Sequence, residues 1–129
     1  MSQTILVVDD SATIVKFVSF SLRNSGFDVL TAADGMDALE KVSHLEHVVD
    51  LVITDLNIPN LDGFGLIKTL RESEKHRHTP IIILTSEDGE DDRERGMTVG
   101  ANSYLVKTFK SSVLLYEVSK YLNIQKVHA

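Results

Sequence analysis

The sequence predicts an α/β fold, an open and doubly wound sheet of five parallel strands with helices on both faces. Short runs of β-branched and other apolar residues recur at regular intervals along the chain. Runs that are apolar at successive positions predict strands covered on both faces, as in parallel sheets. These runs occupy residues 5–8, 51–53, 81–84 and 104–106, with a weaker one at 28–31.

Amphipathic segments follow these runs and complete five βα units, because their apolar side chains recur at the spacing of one helix face. We expect Phe17, Phe64 and Val118 to lie in the core. The fourth helix, predicted over residues 90–99, is polar on most faces and contains Gly96, so we expect it to pack lightly. The other helices carry apolar residues at Ile14, Phe17, Val18 and Leu22, at Ala38, Leu39 and Val42, at Phe64, Ile67 and Leu70, and at Leu114, Val118, Tyr121 and Leu122.

Small polar residues and glycines mark the ends of these helices. The segment 24–26, Asn-Ser-Gly, predicts that the first helix ends with a residue in the left-handed conformation. Asp34 and Ser111 are predicted as the N-caps of the second and fifth helices. Gly63 and Gly65 are interpreted as turn and helix-start residues, because no G-x-x-x-x-G-K pattern accompanies them.

Composition narrows the class of protein. The chain has 129 residues, 43% hydrophobic and 25% charged, as in a single globular domain. The absence of Cys excludes disulfides, thiolate metal sites and a cysteine nucleophile. A net charge of -6 argues against nucleic acid and anionic lipid as partners. No cationic leader or membrane-length apolar run is present, so we expect a cytoplasmic protein, one domain over 1–129 with a short tail at 123–129 and no output domain.

Polar residues follow four of the predicted strands, where the strands of a doubly wound sheet carry its functional site. They are Asp9 and Asp10, Asp55, Thr85, and Lys107. Three carboxylates about 5 Å apart would repel one another by roughly 3 kcal/mol per pair at an effective dielectric near 20, so a hard divalent cation is expected there. Mg²⁺ fits best, because it is held by few protein ligands and shares phosphate oxygens readily. Asp55, alone on the central strand, is the best-placed nucleophile for phosphoryl transfer.

Each of these features also has a plainer interpretation. A single Asp after a strand is usually a turn residue, and the segment 9–11 can simply cap the first helix. The conjunction of three acids, a Thr and a Lys at successive strand ends favours the site. The acidic segment 87–95 is interpreted as a solvated helix start, apart from Glu87. His76 and His78, within the polar segment 75–78, are expected to be solvated, and no metal is assigned there.

With these motifs the sequence resembles the receiver domain of two-component response regulators, from Ile5 to about Leu122. The resemblance implies a flavodoxin-like (βα)5 fold with strand order 2-1-3-4-5. The segments that carry it are Val7-Val8-Asp9-Asp10-Ser11, Asp55-Leu56-Asn57-Ile58-Pro59 with Leu61-Asp62-Gly63, Ile83-Leu84-Thr85-Ser86, Gly100-Ala101, and Lys107.

The resemblance implies a role for each residue that matches the family's site. Asp55 corresponds to the phosphoacceptor, which takes a phosphoryl group from a kinase phosphohistidine. Thr85 and Lys107 correspond to the residues that bind the phosphoryl oxygens. Tyr104 corresponds to the aromatic residue whose inward or outward position reports activation.

The resemblance also implies a metal site. Asp10, Asp55 and the main-chain carbonyl of Asn57 correspond to the Mg²⁺ ligands, and Asp9 to an acid that acts largely through water. Asn57 and Glu87 resemble the pair found in chemotaxis-type single-domain regulators, where these positions influence the lifetime of the phosphoryl group.

The expected function is that of a stand-alone, monomeric response regulator, with a chemotaxis-type role. Its partners would be a sensor histidine kinase or phosphotransfer protein, and a downstream protein that binds the surface of the fourth helix, fifth strand and fifth helix. It would catalyse only its own phosphorylation and dephosphorylation. On phosphorylation Thr85 would move toward the phosphoryl group, and Tyr104 would enter the space behind it.

One departure from the family pattern keeps alternatives open. The family normally has Pro after its active-site Lys, joined by a cis peptide, whereas Thr108 follows Lys107 here. The bond is then either cis or trans, and the aim of Lys107 depends on which. A phosphorylation-incompetent scaffold is therefore the alternative. Less favoured are a Mg²⁺-dependent phosphohydrolase, whose Asp-x-Asp motif is missing, and a flavin-binding module, whose phosphate would meet Asp9 and Asp10.

Overall fold

The fold is known from a computed structural model that describes residues 2–124, and it has the predicted architecture. Five parallel strands pair in the order β2-β1-β3-β4-β5, which confirms the predicted topology. Residues 123 and 124 of the predicted tail are described, and 125–129 lie outside the described residues. In chain order the elements are β1 (Thr4–Val8), α1 (Ala12–Asn24), β2 (Asp28–Ala32), α2 (Gly35–Ser43), β3 (Leu51–Asp55), α3 (Gly63–Glu72), β4 (Ile81–Thr85), α4 (Glu90–Val99), β5 (Ser103–Val106) and α5 (Ser111–Ser119).

The core consists of two apolar layers, one on each face of the sheet. Alternate residues of β1 point to opposite faces, so that Leu6 belongs to one layer and Ile5 to the other. Side chains of α2 and α3 cover the first layer, and those of α1 and α5 cover the second. The three central strands are buried on both faces, which is why their sequences are continuously apolar.

Most helix boundaries follow the predicted capping residues, with one exception. Gly26, after α1, has φ 91°, and the Asp34 side chain accepts a hydrogen bond from the Asp37 main-chain N–H at 2.7 Å. The prediction of Ser111 as an N-cap is wrong, because Lys110 occupies that position and Ser111 is the first helical residue. The Ser111 hydroxyl instead donates to Ser21 Oγ at 3.0 Å, which ties α5 to α1.

Two further expectations about individual side chains are wrong. Phe17 is 38% exposed and packs against Phe109 with ring centroids 5.9 Å apart, so it lies at the rim of the core. His76 is only 3% exposed and is not solvated, because its ring turns inward against the segment that precedes β3. Its Nε2 accepts a hydrogen bond from the Val49 main-chain N–H at 3.3 Å. His78 is exposed, as expected.

Helix α4 has the predicted bounds, and its packing is light. Gly96 is the only buried residue of α4. A Cβ atom at this position would lie 2.7 Å from Ile83 Cδ1, so the glycine lets the helix approach β4 closely. Phe64 and Val118 are buried, as expected. Within residues 2–124, no helix has both the length and the apolar character needed to cross a membrane.

Candidate functional site

Three carboxylates converge at the carboxyl edge of the sheet. In the register of the central strands, Val8 pairs with Thr54, so the next residues, Asp9 and Asp55, leave β1 and β3 at the same level. Each of Asp9, Asp10 and Asp55 contributes a carboxylate oxygen to a group whose members all lie within 4.8 Å of one another. The predicted acidic cluster is therefore present in the fold.

Lys107 supplies the positive charge beside these acids. Its Nζ lies 2.9 Å from Asp9 Oδ2 and 3.3 Å from Asp55 Oδ2. The contact with Asp55 is a hydrogen bond, and the contact with Asp9 is an ion pair. The Lys107 main-chain N–H donates to the Thr85 carbonyl at 2.7 Å, and the Lys107–Thr108 peptide bond is cis. Of the two conformations left open by the sequence, the structure has the cis form, with the ammonium group directed into the cluster.

Burial and pairing shift the pKa values of two of these groups. Burial alone lowers the pKa of Lys107, but the neighbouring Asp9 and Asp55 carboxylates outweigh it and raise the pKa above its usual value. Lys107 therefore stays charged at neutral pH. Burial raises the pKa of Asp9, and the charge of Asp55 adds to the rise, although the Ser11 N–H and Lys107 oppose it.

The orientation of Asp55 is set by the main chain that follows it. Its Oδ1 accepts hydrogen bonds from the Leu56 N–H at 2.8 Å and the Asn57 N–H at 3.4 Å. Its Oδ2 faces Lys107. These contacts hold the carboxylate in one orientation. The side chain is 13% exposed, so a second molecule can reach it.

The donor set of the cluster fits a hard divalent cation. All three groups offer carboxylate oxygens, and Asp10 is exposed while Asp9 is buried. Asp9 is fixed by its Oδ1, which accepts the Ser11 N–H at 2.9 Å. An exposed carboxylate beside two oriented ones leaves room for water ligands, which Mg²⁺ retains in protein sites. The three carboxylates therefore form a group that can hold Mg²⁺.

The remaining predicted site residues lie at the end of β4, on β5, or on the loops that follow β3 and β4. Thr85 is 4% exposed, and its Oγ1 has no hydrogen-bond partner among residues 2–124. Tyr104 is 46% exposed and points outward, with the Arg93 guanidinium carbon 5.3 Å from its ring centroid. Asn57 and Glu87 are exposed, two residues beyond Asp55 and Thr85 respectively.

The sequence interpretation missed one contributor to the site. The Ser11 N–H orients Asp9, and the Ser11 hydroxyl accepts the Ile14 N–H at 3.4 Å as the N-cap of α1. The signal was present, because an Asp two residues before a Ser at a helix start favours a local turn of this kind. The site and the helix cap are therefore parts of one structure, not alternatives.

Comparison with known proteins agrees with this geometry. The model of the response regulator receiver domain family matches residues 5–119. The alkaline phosphatase synthesis transcriptional regulatory protein PhoP of Bacillus subtilis is 40% identical over 84% of this chain, which spans 44% of PhoP.

Two solved structures resemble the fold. The chemotaxis response regulator CheY4 of Vibrio cholerae has a TM-score of 0.87 and 37% identity, covering 95% of this chain and 100% of its own. The receiver domain of the sensor histidine kinase PA1611 from Pseudomonas aeruginosa, solved with a magnesium ion in its active site cleft, has a TM-score of 0.84 and 31% identity, covering 94% of this chain and 98% of its own. The family match extends over most of the chain and includes every residue of the acidic cluster and Lys107, so the chain belongs to the response regulator receiver domain family, a family of signalling domains.

Proposed function

We propose that this protein accepts a phosphoryl group on Asp55 from the phosphohistidine of a sensor histidine kinase or phosphotransfer protein. The observation that carries the proposal is the cluster of Asp9, Asp10 and Asp55, with Lys107 3.3 Å from Asp55 Oδ2. Phosphoryl transfer requires a positioned nucleophile and neutralisation of charge more than acid–base chemistry. The cluster offers both of these elements.

In the proposed reaction, a carboxylate oxygen of Asp55 forms a bond to phosphorus while the N–P bond of the donor imidazole breaks. The electron pair of the broken bond stays on the imidazole nitrogen. Lys107 holds one phosphoryl oxygen through its ammonium group, and the Thr85 hydroxyl donates a hydrogen bond to another. The buried Thr85 Oγ1, unpartnered within the described residues, supports this role, because such a hydroxyl gains from a new acceptor.

The proposed ligands of Mg²⁺ are Asp10, Asp55 and the main-chain carbonyl of Asn57, with Asp9 acting through water. When bound, Mg²⁺ would neutralise charge on the phosphoryl oxygens. Asp9 keeps Lys107 in place through their 2.9 Å ion pair. The proposed influence of Asn57 and Glu87 on phosphoryl lifetime is supported by their exposure two residues beyond Asp55 and Thr85, where their side chains are accessible to water.

We further propose that phosphorylation changes the surface formed by α4, β5 and α5, which then binds a downstream protein. Light packing of α4 supports this, because elements with few buried contacts change conformation at low cost. Tyr104 is the proposed reporter, moving inward as Thr85 moves toward the phosphoryl group. The likeness to a chemotaxis response regulator supports a chemotaxis-type role.

The proposal is tested by incubating the protein with acetyl phosphate, with and without Mg²⁺, and recording intact mass after a rapid quench. We expect a gain of one phosphoryl group that requires both Mg²⁺ and Asp55. Asp55→Asn should show no gain, and Asp28→Asn, which changes an exposed acid on β2, should behave like the unaltered protein. No gain at any point of a trapping time course would favour a scaffold, and turnover of an aryl phosphate would favour a phosphohydrolase.

The switch is tested separately with Thr85→Ala. This variant should still be phosphorylated, because Asp55 and the acidic cluster are intact. It should lose the change in the Tyr104 ring signals that phosphorylation produces in the unaltered protein, as measured by NMR. A full change in Thr85→Ala would contradict the proposed role of Thr85.

A further inference from the structure

The loop of residues 56–62, between β3 and α3, is bound to the start of α2 by two hydrogen bonds. Asn60 Nδ2 donates to Asp34 Oδ2 at 2.6 Å, and the Gly35 N–H donates to the Leu61 carbonyl at 3.0 Å. Asp34 caps α2 with its other oxygen, Oδ1, which accepts from the Asp37 N–H. One carboxylate therefore serves two elements, and the bond to Asn60 is not needed to cap the helix.

The backbone at this junction has two unusual features that permit the close approach. Asn60 has φ 67°, in the left-handed region that Asn tolerates better than most residues. A Cβ atom at position 35 would lie 2.2 Å from the Leu61 carbonyl oxygen, so only glycine fits there. The contact between α2 and the loop is therefore closely specified by the residues that make it.

The other end of the same loop forms part of the proposed metal site. The N–H groups of Leu56 and Asn57 orient Asp55, and the Leu56 carbonyl accepts the Gly63 N–H at 2.9 Å. Asn57 thus lies on a short segment that is held at the cluster on one side and at α2 on the other. Mg²⁺ demands near-ideal octahedral geometry, so its affinity depends on how firmly such a segment is held, whereas Ca²⁺ tolerates irregular geometry.

We propose that Asp34 and Asn60 are positioning residues for the metal site, and that their hydrogen bond sets its affinity for Mg²⁺ and its preference for Mg²⁺ over Ca²⁺. This inference rests on the proposed function, because it requires the acidic cluster to bind Mg²⁺. Partners that support metal ligands directly change affinity by about 10- to 100-fold when removed, and this bond acts one step further away, so about a three- to tenfold effect is expected.

Three variants separate the hydrogen bond from the charge and from the helix cap. Asn60→Gly keeps the left-handed backbone accessible and removes the bond. Asp34→Ser keeps a capping oxygen and removes the acceptor for Asn60. Asp34→Asn removes the negative charge but keeps both interactions, because its Oδ1 still caps α2 and its amide can donate to Asn60 once the Asn60 amide turns over.

The test is isothermal titration of each full-length variant with MgCl₂ and, separately, with CaCl₂, alongside the urea midpoint without metal. Asn60→Gly and Asp34→Ser should weaken Mg²⁺ binding about three- to tenfold and Ca²⁺ binding less than about twofold, and Asp34→Asn should stay within about twofold for both ions. A merely structural role would lower the urea midpoint without changing the ratio of the two affinities.

Two results would overturn the inference while leaving the metal site intact. One is unchanged Mg²⁺ affinity in Asn60→Gly, and the other is an equal loss of Mg²⁺ and Ca²⁺ affinity in both weakened variants. Asp10→Asn distinguishes this from failure of the proposed function. If the unaltered protein binds no Mg²⁺, or binds it as well without the Asp10 carboxylate, the proposed site and this inference both fail.

Discussion

Replacing Lys107 with Met would remove the one cation that contacts both Asp9 and Asp55 among the described residues. Met keeps most of the volume of the side chain and none of its charge. In the metal-free protein the carboxylates would then face one another without compensation. We expect Lys107→Met to lower the free energy of unfolding and to make stability depend more strongly on Mg²⁺.

The magnitude follows from the distances. Two carboxylate oxygens within 4.8 Å of each other repel by about 3 kcal/mol at an effective dielectric near 20. Removing one partner of a buried ion pair costs about 3 to 5 kcal/mol, and Lys107, at 24% exposure, should lie at or below the lower end of that range. We therefore expect a loss of about 2 to 3 kcal/mol without metal.

Magnesium should recover part of this loss, because the cation replaces the missing ammonium charge. Each tenfold gain in Mg²⁺ affinity adds about 1.4 kcal/mol of stabilisation at saturating concentration. The double variant Asp9→Asn/Lys107→Met should be more stable than Lys107→Met alone in metal-free buffer, because one of the repelling charges is gone.

The assay is urea unfolding followed by circular dichroism, with EDTA and with MgCl₂, and Lys68→Met serves as the control at an exposed position on α3. The reasoning is refuted if Lys107→Met is as stable as Lys68→Met without metal. It is refuted equally if Mg²⁺ stabilises the two variants by the same amount.

Two other predictions concern His76 and Gly63. Burial, followed by the charge of Lys75, lowers the pKa of His76 below 6.5, so the unfolded chain takes up a proton that the folded protein does not. This contribution to stability is complete above about pH 6.5 and is lost as the pH falls below it, by at most about 1.4 kcal/mol per pH unit. Urea unfolding at pH 7.5 and 5.5 measures how much of the free energy of unfolding is lost on acidification. This loss should be smaller in His76→Gln than in the unaltered protein or His78→Gln, and equal losses would contradict the assignment of the effect to His76. Gly63→Ala should destabilise the fold by about 1 to 3 kcal/mol, because its Cβ would lie 2.4 Å from the Asp55 carbonyl oxygen and 2.6 Å from Leu56 Cα, and neither backbone atom can yield. Gly89→Ala, with its nearest contact at 3.2 Å, is the matched control in the same urea titration, and an equal effect would show that the close approach is not limiting.

The strands could be predicted because burial on both faces leaves a simple pattern, whereas their order was implied by the resemblance to the receiver domain family. Each of the predicted apolar runs lies within a strand, and the structure extends β3 and β4 to Asp55 and Thr85. The polar residues at these ends were recognisable for the same reason, because an acid or hydroxyl directly after a buried strand lies at the edge of the sheet. The cluster therefore followed from topology and residue type together.

Side chains at the rim of the core could not be placed from helical spacing. Phe17 belongs to the same apolar pattern of α1 as Val18 and Leu22, yet it is 38% exposed and packs against Phe109. Spacing gives a direction around the helix axis but not the edge of the neighbouring layer. For the same reason, the polar sequence of residues 75–78 did not indicate that the His76 ring turns inward and accepts the Val49 N–H.

Contacts between distant segments were also beyond the sequence. Asp34 was predicted as a helix cap, and that role is confirmed, but its second bond joins residues 26 positions apart. Likewise, the sequence left the Lys107–Thr108 peptide open, and only the fold shows Lys107 between Asp9 and Asp55. Such pairings depend on how loops approach one another, which local pattern does not encode.

The central claim, that Asp55 is the phosphoacceptor, is tested most directly by reducing the phosphorylated protein with sodium borohydride and mapping the product by peptide mass spectrometry. Reduction of an aspartyl phosphate releases phosphate and leaves homoserine at the modified position. The account predicts homoserine at position 55 alone, and only when Mg²⁺ accompanied the phosphodonor. Homoserine at position 9 or 10, or none in a protein that carries a phosphoryl group by intact mass, would contradict it.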